Sequence, residues 1–296
     1  MLTERDYEAD LSMLLLNFLP TITARKGHRA KKALKKAFTD YFVSGGAEKA
    51  SDFVRASNDA NLKRGVSEED RAGFQVVYCI GLLVNTPPTL FWMLFHIYSS
   101  PVLLQRLRAE LSAASLAEND TGVAQGRLDI QKLTDTCPLL QATLEEVLRV
   151  HASSLSTRIV LEDTTVGNGI LLKKDGIVHI PSKCLHYNEK HFSSNVDTFD
   201  PTRFLNNTRS KSQTAFRPFG GGSTLCPGRH FATMQILSIT ALVLLSFDLV
   251  PEDGKWVCPK SLQSTMTTTV LPPVDAVRVR FQPRQGADVG GSVFAS

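Results

Sequence analysis

Apolar residues recur at helical spacing through the first half of this chain and in short extended runs through the second. Residues 10–20, DLSMLLLNFLP, predict a short apolar helix ended by Pro20. Ala30 to Tyr41 predicts an amphipathic helix with Ala33, Leu34, Ala37, Phe38 and Tyr41 as its apolar stripe. Residues 44–72 are polar and predict a connection followed by a solvated helix. An apolar helix is then predicted over 70–98, another from Pro101 to Ala114, a loop over 115–128 and a third helix from Asp129 to Val150. After Val150 the pattern shortens to extended pieces at Ser156–Leu161 and Ile177–Ile180, punctuated by Gly and Pro. Residues 186–225 show little periodicity. A strongly apolar helix follows, Phe231 to Ser246, then short strands at Lys255–Val257, Thr267–Leu271 and Ala276–Phe281. The last dozen residues, QGADVGGSVFAS, read as disordered. The layout is mainly α with minor β, with no internal repeat and no glycine-rich phosphate loop.

Composition narrows the class. With 296 residues, 43% hydrophobic and 21% charged, the chain is globular; collagen, low-complexity disorder and disulfide miniproteins are excluded. Lys and Arg outnumber Asp and Glu 33 to 29, but seven cations (Arg25, Lys26, Arg29, Lys31, Lys32, Lys35 and Lys36) fall in an acid-free stretch over 25–36. The remainder is slightly acidic, so no general basic field for nucleic acid exists. The five cysteines, Cys79, Cys137, Cys184, Cys226 and Cys258, are widely spaced, form no CxxC pair and point to a reducing compartment. The N-terminus opens with charges and without a signal-peptide core. Residues 76–98 contain no charged side chain and are long enough to cross a bilayer, but Pro87 and Pro88 beside Asn85 and Thr86 favour a buried helix.

The sharpest chemical signal is residues 216–232, FRPFGGGSTLCPGRHFA. Gly220, Gly221 and Gly222 permit positive φ and close approach to a flat ligand. Pro227 suits the first turn of a helix, which sets Cys226 at a helix N-terminus, where free N–H groups favour a thiolate. A thiolate there is a nucleophile or a metal ligand. Cys226 with His230 offers half a zinc site, but no second pair has ligand spacing.

This segment resembles the haem-binding signature of cytochrome P450 enzymes. The pattern F-x-x-G-x-x-x-C-x-G-x-x-x-A is filled by Phe219, Gly222, Cys226, Gly228 and Ala232. The resemblance implies the mainly α P450 fold and haem b held by Cys226 as the iron's proximal thiolate, with Gly220 among the loop positions close to the cofactor. Glu146-Val147-Leu148-Arg149 matches the family's E-x-x-R, and Phe199-Asp200-Pro201-Thr202-Arg203-Phe204 its F-x-P-x-R-F. They imply a buried charge triad, Glu146, Arg149 and Arg203, that fixes the cysteine loop. Arg158 matches the arginine that binds a haem propionate; its plainer reading is a solvated strand charge.

Two departures refine the resemblance. Where most members place an acid followed by threonine for proton delivery, this chain has Val84 and Asn85, then Thr86. Thr224 stands where many have a basic residue two before the cysteine. Both are similar to the branch containing cholesterol 7α-hydroxylase, sterol 12α-hydroxylase and prostacyclin synthase. The implied activity is insertion of one atom of O2 into a lipophilic, sterol-like or secondary-metabolite substrate, using an NADPH-dependent flavoprotein reductase. Asn85 and Thr86, with water, then handle the protons; the alternative role of Asn85 is to satisfy carbonyls freed by Pro88. The same branch leaves open a peroxide isomerase or dehydratase that needs no reductase, or an inactive haem-binding remnant.

The resemblance reaches only the later part of a family member, so the chain is expected to be one partial P450 domain. Its parts are substrate-channel helices over 1–67, a long helix over the haem at 68–98, and helices ending in E-x-x-R at 99–150. Short strands and a meander follow at 151–215, then the haem loop and its helix at 216–246, strands at 247–284 and a tail at 285–296. By the same resemblance the full-length form sits on the cytosolic face of the endoplasmic reticulum membrane. The basic cluster at 25–36, following LLLNFLP, suits an anionic membrane surface or a solvated helix face.

Overall fold

A computed structural model describes residues 4–116, 128–129, 133–205, 214–262, 268–284 and 294–295. The chain divides into two compact units, residues 1–85 with 266–268 and residues 86–265 with 269–296.

The first unit is helical: α1 Glu4–Ala9, α2 Leu11–Leu16, α3 Pro20–Thr23, α4 Arg25–Val43, α5 Asp52–Lys63 and α6 Glu68–Leu83. The predicted helix over 10–20 ends at Leu16. Asn17 and Leu19 turn left-handed at φ 51° and 45°, and Pro20 opens α3 instead of closing α2. α4 buries Gly27 and Ala30 and lays Leu34 and Phe38 against Tyr7 and Val76. Ala33, Ala37 and Tyr41 of the predicted stripe are exposed. The stripe rotates because the backbone of Gly27 approaches Asp10 too closely for any side chain, and its N–H donates to Asp10 Oδ2 at 2.7 Å. Ser67 caps α6 by accepting from Asp70 N at 3.1 Å, and Glu68, Glu69 and Asp70 complement the helix dipole. Leu15, Leu16, Phe18, Leu19 and Ile22 are each more than half exposed, just before the cation run.

The helix predicted over 70–98 is interrupted. α6 ends at Leu83, and α7, Thr86–Tyr98, begins after a bend at Val84–Asn85. Pro87 and Pro88 have no N–H to offer the carbonyls of Leu83 and Val84, and their rings crowd the preceding turn. In the first turn of a new helix neither defect matters.

The second unit packs α7, α8 Pro101–Leu116, α10 Pro138–His151 and α13 Arg229–Ser246 around one core. Trp92, Met93, Ile97, Leu107, Leu111, Leu140, Leu144, Leu237 and Leu244 are fully buried there. The Trp92 indole donates to the Leu271 carbonyl at 2.8 Å. Two α8 side chains grip its neighbours. Glu110 accepts from Leu139 N at 2.8 Å and Leu140 N at 3.0 Å, closing the amide end of α10. Arg108 donates to Leu244 O at 3.0 Å and Phe247 O at 2.8 Å, closing the carbonyl end of α13.

The helix predicted over 129–150 is a two-residue strand β1 (Leu128–Asp129), one helical turn α9 (Leu133–Thr136) and α10 proper, because Pro138 takes the first helical position. β1 pairs in parallel with β8, Phe294–Ala295, within the predicted disordered tail. Most of the predicted 115–128 loop and the rest of that tail lie outside the described residues. β2 (Leu155–Ile159) pairs antiparallel with β5 (Ile177–Pro181), and β3 (Thr164–Val166) with β4 (Ile170–Leu172). β6 (Phe247–Pro251) pairs with β7 (Val279–Pro283). Lys255–Val257 forms no strand, and of Thr267–Leu271 the described part contributes a single bridge, Val270 to Ala152. The run Glu68–Tyr98 and α13 are both long and apolar enough to cross a membrane, although each packs part of its surface inside the protein.

Candidate functional site

The loop over 217–228 is shaped by its own backbone. Gly220 N donates to Arg217 O at 3.1 Å, and Cys226 N to Phe219 O at 3.0 Å, so the chain doubles back and presents Cys226 half-exposed. Gly220 and Gly222 have φ of 77° and 65°, a region that side chains strain. Gly221 is extended, but any Cβ there would collide with the Arg217 guanidinium. At Gly228 a Cβ would lie 3.9 Å from the Cys226 sulfur, on its flank. α13 starts at Arg229 with Gly228 as cap, so Pro227 occupies the turn before the helix and not its first turn. Arg229, the first residue of α13, donates its Nη1 to the Cys226 carbonyl at 3.1 Å. Phe219 and Ala232 are half-buried, and the Phe219 ring packs against the core of the second unit.

Arg158, on β2, reaches this loop. Its Nη2 donates to Thr224 Oγ1 at 2.5 Å and to Gly221 O at 3.4 Å. Arg217 brings a second guanidinium, whose buried Nε has no hydrogen-bond partner among the described residues. A partly exposed thiol, glycines that keep side chains off the loop and two guanidiniums, one with an orphan donor, fit an iron porphyrin with anionic propionates. Among the described residues no three His, Cys, Asp or Glu side chains cluster as metal ligands, so nothing completes a zinc site around Cys226 and His230. A cleft of about 430 Å3 beside the loop is lined by Thr134, Asp135, Gln141, Phe219, Arg229, His230, Thr233 and Met234.

A second group lies under the loop. Arg149 holds Glu146 through two parallel bonds, Nε to Oε2 and Nη2 to Oε1, both 2.8 Å. Arg203 Nε meets the same carboxylate at 3.3 Å, and Asp200 N donates to it at 2.9 Å. Glu146 and Arg149 are wholly buried. Arg203 spends its other donors on the Phe192, Asn195 and Thr198 carbonyls and on Ser193 Oγ, stitching the segment 192–198 to α10.

The buried His151 and the half-buried His96 pack beside this group. His96 stacks on Phe199, ring centroids 3.8 Å apart, and His151 on Trp92 at 3.9 Å; the two Nε2 atoms meet at 2.9 Å. Burial pushes His96 down to about 4. Burial, His96 and the cations Lys183 and Arg149 push His151 down to about 2. Such a pair shares a single proton between its nitrogens and stays neutral.

Thus Phe219, Gly220, Gly222, Cys226, Gly228 and Ala232 share the loop and its helix, Arg158 reaches the loop from β2, and Glu146, Arg149 and Arg203 meet in one cluster. Asn85 and Thr86 stand at the α6–α7 junction, and Thr86 is buried. Sequence reasoning missed Arg217. Its signal was a cation four residues before a glycine, which carries no meaning until the loop closes.

The cytochrome P450 family description matches residues 1–276. The chain belongs to the cytochrome P450 family. Among P450s similar to it, cytochrome P450 monooxygenase nodJ of Hypoxylon pulicicidum is 34% identical over 291 residues, covering 95% of this chain and 56% of the relative. A cytochrome P450 monooxygenase of Gibberella zeae is 27% identical over 92% of the chain and 54% of its own length. The cholesterol 7-alpha-monooxygenase of Cricetulus griseus is 25% identical over 89% of the chain and 55% of its own. This P450 chain therefore spans about half the length of the curated relatives it matches.

Proposed function

We propose that this P450 chain carries the haem-thiolate core of a monooxygenase that inserts one atom of O2 into a lipophilic, sterol-like or secondary-metabolite substrate. Electrons would come from an NADPH-dependent flavoprotein reductase. The observation that carries the reading is the Cys226 loop, where a sulfur, positive-φ glycines and two guanidiniums converge. Bound haem b would supply the oxygen chemistry. Cys226 would hold its iron, Arg158 would hold a propionate, and Gly220, Gly222, Gly228, Phe219 and Ala232 would shape the bed. The Glu146–Arg149–Arg203 cluster would keep that bed rigid. Asn85 and Thr86 are assigned the handling of protons with water, since the two prolines leave carbonyls beside them without helical donors. The names of the relatives support monooxygenation as the reaction class.

A membrane surface, the cytosolic face of the endoplasmic reticulum, is proposed as the setting. Exposed Leu15, Leu16, Phe18 and Ile22 lie next to Arg25, Lys26 and Arg29, the pairing that an anionic bilayer interface accepts.

The reduced carbon-monoxide difference spectrum of the haem-loaded chain tests the core claim. A thiolate-type Soret band in the wild type, lost in Cys226→Ser, is expected. An unchanged band in Cys226→Ser would sink the assignment. Turnover of a hydroperoxide without reductase would move the chemistry to isomerisation.

A further inference from the structure

We propose that His186 is a positioning residue that carries the Glu146–Arg149–Arg203 cluster to the backbone of the cysteine loop. It ends α11, Ser182–His186, and is wholly buried. Its Nδ1 lies 3.1 Å from the Arg149 carbonyl oxygen, and its Nε2 lies 3.0 Å from the Arg217 backbone nitrogen. Arg149 Nη1 donates in return to the His186 carbonyl at 3.1 Å. Phe216 and Phe192 flank the ring at centroid distances of 5.5 and 6.2 Å, so its plane has little freedom.

The partners dictate the tautomer. A carbonyl only accepts and a backbone N–H only donates. Nδ1 therefore carries the proton and Nε2 offers its lone pair. One neutral tautomer satisfies both bonds at once. Burial, with the facing Arg149 guanidinium, holds the ring neutral by pushing its pKa down to about 4.

The consequence is a continuous path. Glu146 holds Arg149, Arg149 holds His186, and His186 holds the Arg217 amide. The Arg217 carbonyl then accepts from Gly220 N, and Phe219 O from Cys226 N. Apart from Arg203, which holds the meander, the described contacts of the charge cluster reach the loop through this imidazole. Without it the cluster would stabilise α10 and the segment 192–198 and leave the sulfur's approach unspecified. The inference rests on Cys226 as the iron ligand for its functional meaning, but not for the coupling itself.

Two substitutions separate the halves of the ring. His186→Gln places an amide oxygen where Nε2 stood and keeps an acceptor for Arg217 N. His186→Asn keeps a donor near Arg149 O and cannot reach Arg217. His186→Leu removes both. Amide hydrogen exchange at Arg217, in the chain without added haem, is expected to quicken about tenfold in the Leu and Asn variants and to stay near wild type in Gln. After haem loading, the thiolate fraction of the carbon-monoxide spectrum is expected to fall in Leu and Asn and to be restored in Gln. Unchanged Arg217 exchange in Leu, or Asn and Gln behaving alike in both readouts, would overturn the proposal. A quickened exchange with no thiolate band even in the wild type would uphold the coupling and remove the haem assignment instead.

Discussion

At the scale of single residues, the charge cluster shows how a short motif acquires meaning by burial. An acid and an arginine three apart on a helix are ordinarily a solvated pair worth little. Here Glu146 and Arg149 have no solvent exposure, and every nitrogen of the guanidinium and both carboxylate oxygens have a partner. Arg203→Ala would withdraw one cation from Glu146 and one donor each from the Asn195 and Thr198 carbonyls. We expect a loss of about 3–5 kcal/mol in urea unfolding, the range for breaking a buried ion pair, with haem content falling alongside. Wild-type stability in that variant would show that the third member is decorative. The positions of Glu146, Arg149, Arg203 and Cys226 could be marked from the resemblance of their short, local motifs to those of the P450 family. His186 could not. Its partners lie 37 and 31 positions away, and a lone histidine in an aperiodic stretch looks the same whether buried or free.

At the scale of elements, long apolar periodicity located the helices, and proline decided where they broke. Two of the errors in the helical reading, at Val84–Asn85 and at Cys137–Pro138, come from letting an apolar pattern run through a residue that has no N–H. The short strands near the C-terminus were misplaced for a different reason. Their pairing depends on distant partners, and Pro272 and Pro273 confine the Val270 region to isolated bridges. The start of α10 also depends on another helix, through Glu110. Glu110→Ala should cost about 1–2 kcal/mol in urea unfolding, as loss of a helix cap does, and should be largely spared in Glu110→Gln, which still accepts through one oxygen. Equal losses in the two variants would mean that the charge, not the acceptor, does the work.

At the scale of the whole molecule, two buried histidines and the half-buried His96 set the response to acid. His96, His151 and His186 are all held below their ordinary value, so the unfolded chain takes up protons before the folded one as pH falls. Their contribution is complete above about pH 6.5, declines through the interval down to 4, and for His151 continues to fall toward 2. Urea midpoints measured between pH 7.5 and 4.5 should drop steadily. His151→Phe, which keeps the stack on Trp92, should flatten the slope; an identical slope would show that this ring does not stay neutral in the fold.

The α8 side chains lead to a further point about assembly. Arg108 and Glu110 are two positions apart, and two residues of α-helix turn through about 200°, so they face opposite sides. One side offers a cation to a carbonyl terminus and the other an anion to an amide terminus. A neighbour docked backwards, or slipped by one turn, would meet the wrong sign or none. α8 therefore proofreads the direction of the helices beside it, an error check that acts against misassembled competitors as well as holding the native chain.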